Sequence, residues 1–177
     1  MLRELTDCLG ISDIMHMDNL RILGFRATID SVGEILSQID EIKKDGEIIQ
    51  LLNADAIVSK NHIVHGVNQA FLAFERGENL AKDISVEIAL RCSAQRQISK
   101  AFKILGLKEG KMNLAAVLIN CENHDFELSS MFTFDESVLI ADREKLMKIY
   151  GIGDAEAENM SLDDIIIDRI TKLTVDY

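Results

Sequence analysis

Residues 20–52 read LRILGFRATIDSVGEILSQIDEIKKDGEIIQLL, and two different periodicities succeed one another within them. From Leu20 the chain alternates: Leu23, Phe25, Ala27 and Ile29 fall on one face, with Ile22, Arg26 and Thr28 on the other. A period of two is that of a strand. At Asp30-Ser31 the pattern changes. A short polar side chain there can cap a helix, and Val32, Ile35, Leu36, Ile39 and Ile42 recur at helical spacing until Gly46. Ile48-Ile49-Gln50-Leu51-Leu52 is a short apolar run suited to a buried strand. A strand, a helix and a second strand in so few residues point to a mixed α/β layer structure.

The same reading extends toward the C-terminus. Ser59 is placed to cap a helix whose apolar stripe is Ile63, Val64, Val67, Ala70, Phe71 and Phe74, with Gly77 as its stop. A second helix is predicted from about Asp83 or Ser85 to Gly106, with Val86, Leu90, Ile98, Ala101, Phe102 and Leu105 turned inward. Leu114 to Ile119 reads as a well-buried strand. Residues 122–141 fit either a strand or a short helix around Met131, Phe132 and Phe134. Asp142 is predicted to cap a helix through Tyr150, which Gly151 ends. Ser161-Leu162-Asp163-Asp164 resembles a capping box opening a last helix that carries Leu162, Ile165, Ile166, Ile170 and Leu173. The expected fold is one mixed α/β (α+β) domain over residues 20–177, a mainly antiparallel sheet flanked by helices. Residues 1–19 read as an N-terminal extension.

Composition narrows the function. A chain of 177 residues, 47% hydrophobic and 28% charged, suits one globular domain. No run approaches the roughly 18 apolar residues of a membrane helix, and charges interrupt the start, so the expectation is a soluble, cytoplasmic protein without membrane contact. Cys8, Cys92 and Cys121 are widely spaced and form no CxxC pair, so neither disulfides nor a thiolate zinc site is expected. The net charge of −11 opposes general nucleic-acid binding, yet it is unevenly spread. Residues 91–121 hold Arg91, Arg96, Lys100, Lys103, Lys108 and Lys111 against Glu109 alone. One basic island in an acidic chain suits a local site for an anion.

No catalytic pattern emerges. His62 and His65 are one helical turn apart and permit a shared metal, but a third ligand at matching spacing is missing. Nucleophile-elbow, Walker and kinase signatures are absent. Gly151-Ile152-Gly153-Asp154-Ala155-Glu156 lacks the final glycine of a dinucleotide loop and is acidic where phosphate would sit. No metal and no cofactor is expected. What remains is binding chemistry. On a continuous helix Arg96, Lys100 and Lys103 would align to meet successive phosphates, with apolar neighbours to stack a base. The alternative is a solvated basic face balancing the acidic remainder. In the last helix, Ile165-Ile166-Ile167 covers more arc than one core stripe needs, so an isoleucine is expected to point outward. With Val175 and Tyr177 it would form an apolar patch, for its own sheet or for a partner.

Five short segments, in order, resemble one family. They are Gly24-Phe25-Arg26-Ala27, Gln50-Leu51-Leu52-Asn53-Ala54, Ser59-Lys60-Asn61-His62, Ala70-Phe71-Leu72-Ala73-Phe74 and Arg96-Gln97-Ile98-Ser99-Lys100-Ala101. The chain from Leu20 onward resembles the regulatory subunit of the KEOPS (EKC) complex that binds its small atypical kinase. The resemblance implies a non-catalytic role in making threonylcarbamoyladenosine on tRNA. It also implies direct contact with the kinase, indirect contact with the other KEOPS subunits, and, in archaeal members, capture of the single-stranded 3′ CCA end of tRNA. Carried over by position, the candidate RNA contacts are His62, Arg96 and Gln97, which match the family motif, and Lys60, Arg91 and Lys100, which rest more on charge. Ile166, Ile170 and Leu173 are the candidates for the kinase face. Two rival readings are a stand-alone single-strand RNA-binding domain and a small-molecule enzyme using His62.

Overall fold

The computed structural model describes residues 19–175. Apart from Asn19, the expected N-terminal extension lies outside the described residues, as does Tyr177 of the expected apolar patch.

The first strand, β1 (Leu20–Ile29), is followed by helix α1 (Val32–Ile42) and strand β2 (Ile48–Asn53). Ser31 caps α1 by accepting the Glu34 N–H, as its position implied. A turn of 3₁₀ helix (Ala54–Ala56) leads into α2 (Lys60–Arg76), capped by Ser59 through the His62 N–H and closed by left-handed Gly77. Helices α3 (Ile84–Cys92) and α4 (Ile98–Leu105) then bring the chain to β3 (Gly110–Ile119). The remainder is α5 (Asp125–Met131), β4 (Thr133–Phe134), a 3₁₀ turn (Glu136–Leu139), α6 (Arg143–Tyr150), α7 (Asp154–Asn159) and α8 (Leu162–Val175). Residues 122–141, legible in sequence as helix or strand, contain both.

The sheet order is β2-β3-β1-β4, and every neighbouring pair is antiparallel. β3 pairs with β1 from Leu20–Ile119 to Ile29–Gly110 and with β2 from Ile48–Ile119 to Asn53–Leu114. Strands β1 and β2 are therefore parallel to each other across β3, which fills the gap that α1 crosses, a split β-α-β arrangement. Leu114 to Ile119 is buried at every position because helices cover both faces of the sheet. On one face Ile22, Leu52, Ala115 and Val117 meet Ile63 and Val67 of α2, Ile88 of α3 and Leu105 of α4. On the other, Phe25, Ile29, Leu51 and Leu118 meet Ile39 of α1 and Leu128 of α5. Phe25 is central there, with ring centroids 6.0 Å from Phe132 and 5.7 Å, edge to face, from Phe134. The last three helices close a third apolar cluster around Leu146, Tyr150, Ile165 and Ile166.

One predicted element divides. The helix expected from about residue 83 to 106 breaks after Cys92, where Ala94 adopts a left-handed conformation with φ of 52°. The Gln95 N–H bonds to the Leu90 carbonyl at 3.1 Å and the Ala94 N–H to the Arg91 carbonyl at 2.9 Å, closing α3 as a glycine-type stop would. A non-glycine residue in this region costs about 1 kcal/mol or more. No Gly or Pro marks the break, so periodicity ran through it. No described helix is long and apolar enough to cross a membrane.

Candidate functional site

The break re-aims the basic island. Arg96 lies in the link before α4 and Gln97, in extended backbone, stands at its N-terminal boundary without a side-chain cap, so Arg96, Lys100 and Lys103 do not form one helical stripe. Arg96 is held instead across the fold, donating from Nη2 to the Leu173 carbonyl of α8 at 3.3 Å. Gln97, Lys100 and Lys103 are exposed. Lys100, Lys103 and Lys108 line a groove of about 430 Å³ with Asn53, Gln95, Ile104 and Ile149. None of the three lysines pairs with a described carboxylate, whereas Lys60, Lys145 and Lys172 each do. A second hollow of about 280 Å³ shares Gln95, Ile104 and Ile149 and continues to Arg169 and Lys172. Arg169 is engaged with the Tyr150 carbonyl and Glu156. Uncompensated ammonium groups over an apolar floor favour an anion that also carries an apolar surface. Ile98 and Phe102, expected to face inward, are instead partly exposed at 49% and 38%, one turn apart on α4.

The other basic candidates go elsewhere. Lys60 is exposed at the start of α2 and pairs with Glu136 at 3.3 Å, away from the residues that line the groove. Lys111 lies on β3 beside a separate hollow that it shares with Arg26.

Two candidates are buried, which corrects their assignment as RNA contacts. Arg91 is 1% exposed: its Nε donates to Glu87 Oε1 at 2.8 Å and its Nη1 to Thr174 Oγ1 at 3.3 Å. The other oxygen of Glu87 accepts the N–H groups of Leu80 and Ala81, both at 2.8 Å. The pair thus ties the loop after α2 to α3 and α8, because a buried guanidinium requires a counter-charge.

His62 is fully buried. Its Nδ1 accepts the Val58 N–H at 3.1 Å, so Nε2 carries the proton and donates to the Cys92 carbonyl at 2.6 Å. Its ring stands edge to face with Tyr150, whose hydroxyl donates to the Ala56 carbonyl at 2.7 Å. With both nitrogens occupied inside the fold, His62 is a pin between the entry to α2 and the end of α3. His65, one turn further along α2, bonds Thr171 Oγ1 at 2.9 Å, and the two imidazoles share no ligand set among the described residues.

Burial, opposed by the Cys92 hydrogen bond, holds the His62 pKa down to about 4. An unfolded histidine titrates near 6.5, so in between the unfolded chain binds a proton that the folded one refuses. His62 therefore costs no stability above about pH 6.5, and stability falls as pH drops toward 4, by about 1.4 kcal/mol per unit at most. The depressed pKa of His65 acts in the same direction. Urea unfolding at pH 7 and pH 5 should show this loss, and His62→Gln should shrink the difference while lowering stability at pH 7. An unchanged difference in the variant would assign the slope to other groups.

Residues 27–172 match the family model described as kinase binding protein CGI-121. The chain belongs to this family. The regulatory protein Cgi121 of Methanocaldococcus jannaschii is 35% identical over 125 residues, which is 64% of this chain and 79% of that relative.

In this CGI-121 family member the last helix does not carry the expected apolar face. Ile166 and Ile170 are fully buried and Leu173 is 8% exposed, so all three candidates for the kinase face belong to the chain's own core. The last helix packs on α2 and α3, and Ile165, Ile166 and Ile170 also join Leu146 and Tyr150 in the third apolar cluster, so the chain's own helices cover the arc that looked like surplus. Of the expected patch, Ile167 is half-buried and Val175 is exposed.

One group of chemistry-bearing residues was missed. Glu47, Cys121 and His124 converge, each with a ligating atom within 4.8 Å of the others. The spacing Cys121-Glu122-Asn123-His124 was the available signal, but Glu47 is 74 positions away and its approach is set by pairing of β2 with β3.

Proposed function

We propose that this chain is the non-catalytic, kinase-binding subunit of a KEOPS-type assembly and supports its small atypical kinase during synthesis of threonylcarbamoyladenosine on tRNA. The observation that carries this reading is the family match over residues 27–172. The name of the 35% identical archaeal relative, a regulatory protein, agrees with a role without turnover.

In the same reading the chain holds the single-stranded 3′ CCA end of tRNA along α4. Lys100, Lys103 and Lys108, which pair with no described carboxylate, supply phosphate contacts with Arg96 and Gln97 beside them, and Ile104 and Ile149 supply an apolar floor. A groove with three such lysines suits a short single strand. A duplex would need a longer basic track than this acidic surface provides. His62 and Arg91 support the groove from within by fixing the end of α3 from which Arg96 emerges.

The test is a tRNA gel shift and a kinase pull-down on the same preparations. Intact tRNA should bind more tightly than tRNA lacking CCA. Lys100→Glu with Lys103→Glu should weaken binding at least about tenfold and flatten its salt dependence. The kinase should co-purify with both proteins. Equal binding of the two tRNAs removes the RNA role and leaves the kinase role, whereas loss of kinase capture at micromolar concentration removes the central proposal.

A further inference from the structure

Nothing in the proposed kinase or RNA role uses the cluster where the α1–β2 turn meets the β3–α5 loop. Glu47 immediately precedes β2, Cys121 follows β3 by two residues, and His124 directly precedes α5. Antiparallel pairing of β2 with β3, beginning at Ile48–Ile119, forces the two loops together.

The carboxylate is oriented before any ligand arrives. Oε2 accepts the Lys44 N–H at 2.9 Å and Oε1 the Glu122 N–H at 3.1 Å. These two bonds fix the orientation of the carboxylate at the cluster. His124 is 3% exposed and brings Nε2 to 2.6 Å from Glu47 Oε2. Its other nitrogen, Nδ1, is buried and has no hydrogen-bond partner among the described residues. Nε2 is therefore the nitrogen that faces Glu47 and is available to a shared ion, while Nδ1 lies on the other side of the ring. Cys121 is a free, part-exposed thiol whose Sγ contacts are weak ones to the Ile48 and Ile119 carbonyls, at 3.3 and 3.5 Å. It provides both a third donor and an access route. The neighbouring cations are neutralised, Lys44 by Glu122 and Arg21 by Asp125.

We propose that Glu47, Cys121 and His124 form a binding site for a soft divalent cation of the zinc type. A thiolate and an imidazole select such an ion over magnesium or calcium, which prefer oxygen donors. Metal–donor bonds of about 2.0–2.3 Å bring tetrahedral donors to roughly 3–4 Å from one another, so the present cluster reaches that geometry by small side-chain shifts. Ligation by the Cys121 thiolate releases the thiol proton to solvent. Three protein ligands would leave one position of a tetrahedral ion for water. Occupancy would lock the α1–β2 turn to the start of α5.

The test uses the full chain with Co²⁺ as a spectroscopic probe, followed by Zn²⁺ calorimetry. Co²⁺ should produce a thiolate charge-transfer band at one equivalent, and Zn²⁺ should displace it. Cys121→Ser should abolish the band and weaken Zn²⁺ binding at least about a hundredfold, more than loss of an outer-shell partner does. Cys8→Ser should change neither. His124→Gln should behave as Cys121→Ser does, and if it fails to fold, Cys121→Ser decides. Absence of the band in the unmodified chain overturns the proposal. So does a band that survives Cys121→Ser or vanishes in Cys8→Ser, and so does equal Zn²⁺ affinity with and without the Cys121 thiol.

Discussion

Glu87→Leu is expected to lower the unfolding free energy by about 3–5 kcal/mol, because it leaves the Arg91 guanidinium buried without its counter-charge. The effect has two parts. Arg91 would retain only its long contacts to Thr174 and the Glu78 carbonyl. The Leu80 and Ala81 N–H groups would lose their acceptor, each an unsatisfied donor of about 1–3 kcal/mol where water cannot reach it. Arg91→Leu should also destabilise, by stranding the carboxylate. The double variant should be more stable than the sum of the singles predicts, since no unpaired charge then remains. Urea unfolding of the four proteins measures this. A loss below about 1 kcal/mol for Glu87→Leu would mean that water reaches the pair and that its burial is not what holds the loop after α2.

Gly66→Val is expected to cost about 3 kcal/mol, at the upper end of overpacking effects. Glycine within a helix gives up about 1 kcal/mol relative to alanine, so its place in the middle of α2 needs a reason, and the packing of α2 against α3 supplies one. A methyl group at residue 66 would overlap Cys92 Sγ and lie 3.0 Å from Cys92 Cα and 3.1 Å from its backbone nitrogen. The thiol could be shortened, but the backbone of α3 cannot yield without carrying away the Cys92 carbonyl that His62 holds. Cys92→Ala should therefore restore only part of the stability of Gly66→Ala and little of that of Gly66→Val. Full rescue would show that the side chain alone sets the helix separation. Thermal melts of the single and double variants, with tRNA binding in parallel, would show whether the α3 end and the Arg96 link move with it.

Much of the framework was legible in sequence because it depends on neighbours. Ser31, Ser59, Asp142 and Ser161 cap the helices they precede, and Gly77 and Gly151 close theirs in the left-handed conformation. A cap needs only the next three or four residues, so local order suffices to find it. The apolar run of Leu114 to Ile119 likewise read as a well-buried strand, and the structure covers it on both faces. The stop at Ala94 was invisible for the converse reason. An alanine takes the left-handed conformation there at the end of a helix that is held by Thr174 on Arg91 and by His62 and Gly66 on Cys92, contacts that come from distant residues.

The site was legible only in outline. The basic island around Arg96 was evident from charge counts, yet counts do not report pairing. Arg91 has its partner one turn away in a helix that packing buries, whereas Lys100, Lys103 and Lys108 face a groove completed by Asn53 and Ile149. The isoleucines of α8 show the same limit, since an apolar arc looks alike whether a partner protein or the chain's own helices will cover it.

By itself, then, the sequence determined most strands and helices outside residues 92–97 and 122–159, the antiparallel mixed architecture and the family, because caps, periodicity and ordered motifs are properties of neighbouring residues. Tertiary structure alone decided which charges stay in water, which histidine becomes a pin, and that Glu47 reaches Cys121 and His124. Those outcomes depend on contacts between residues tens of positions apart, where burial changes the cost of a charge by several kcal/mol and no local pattern records it.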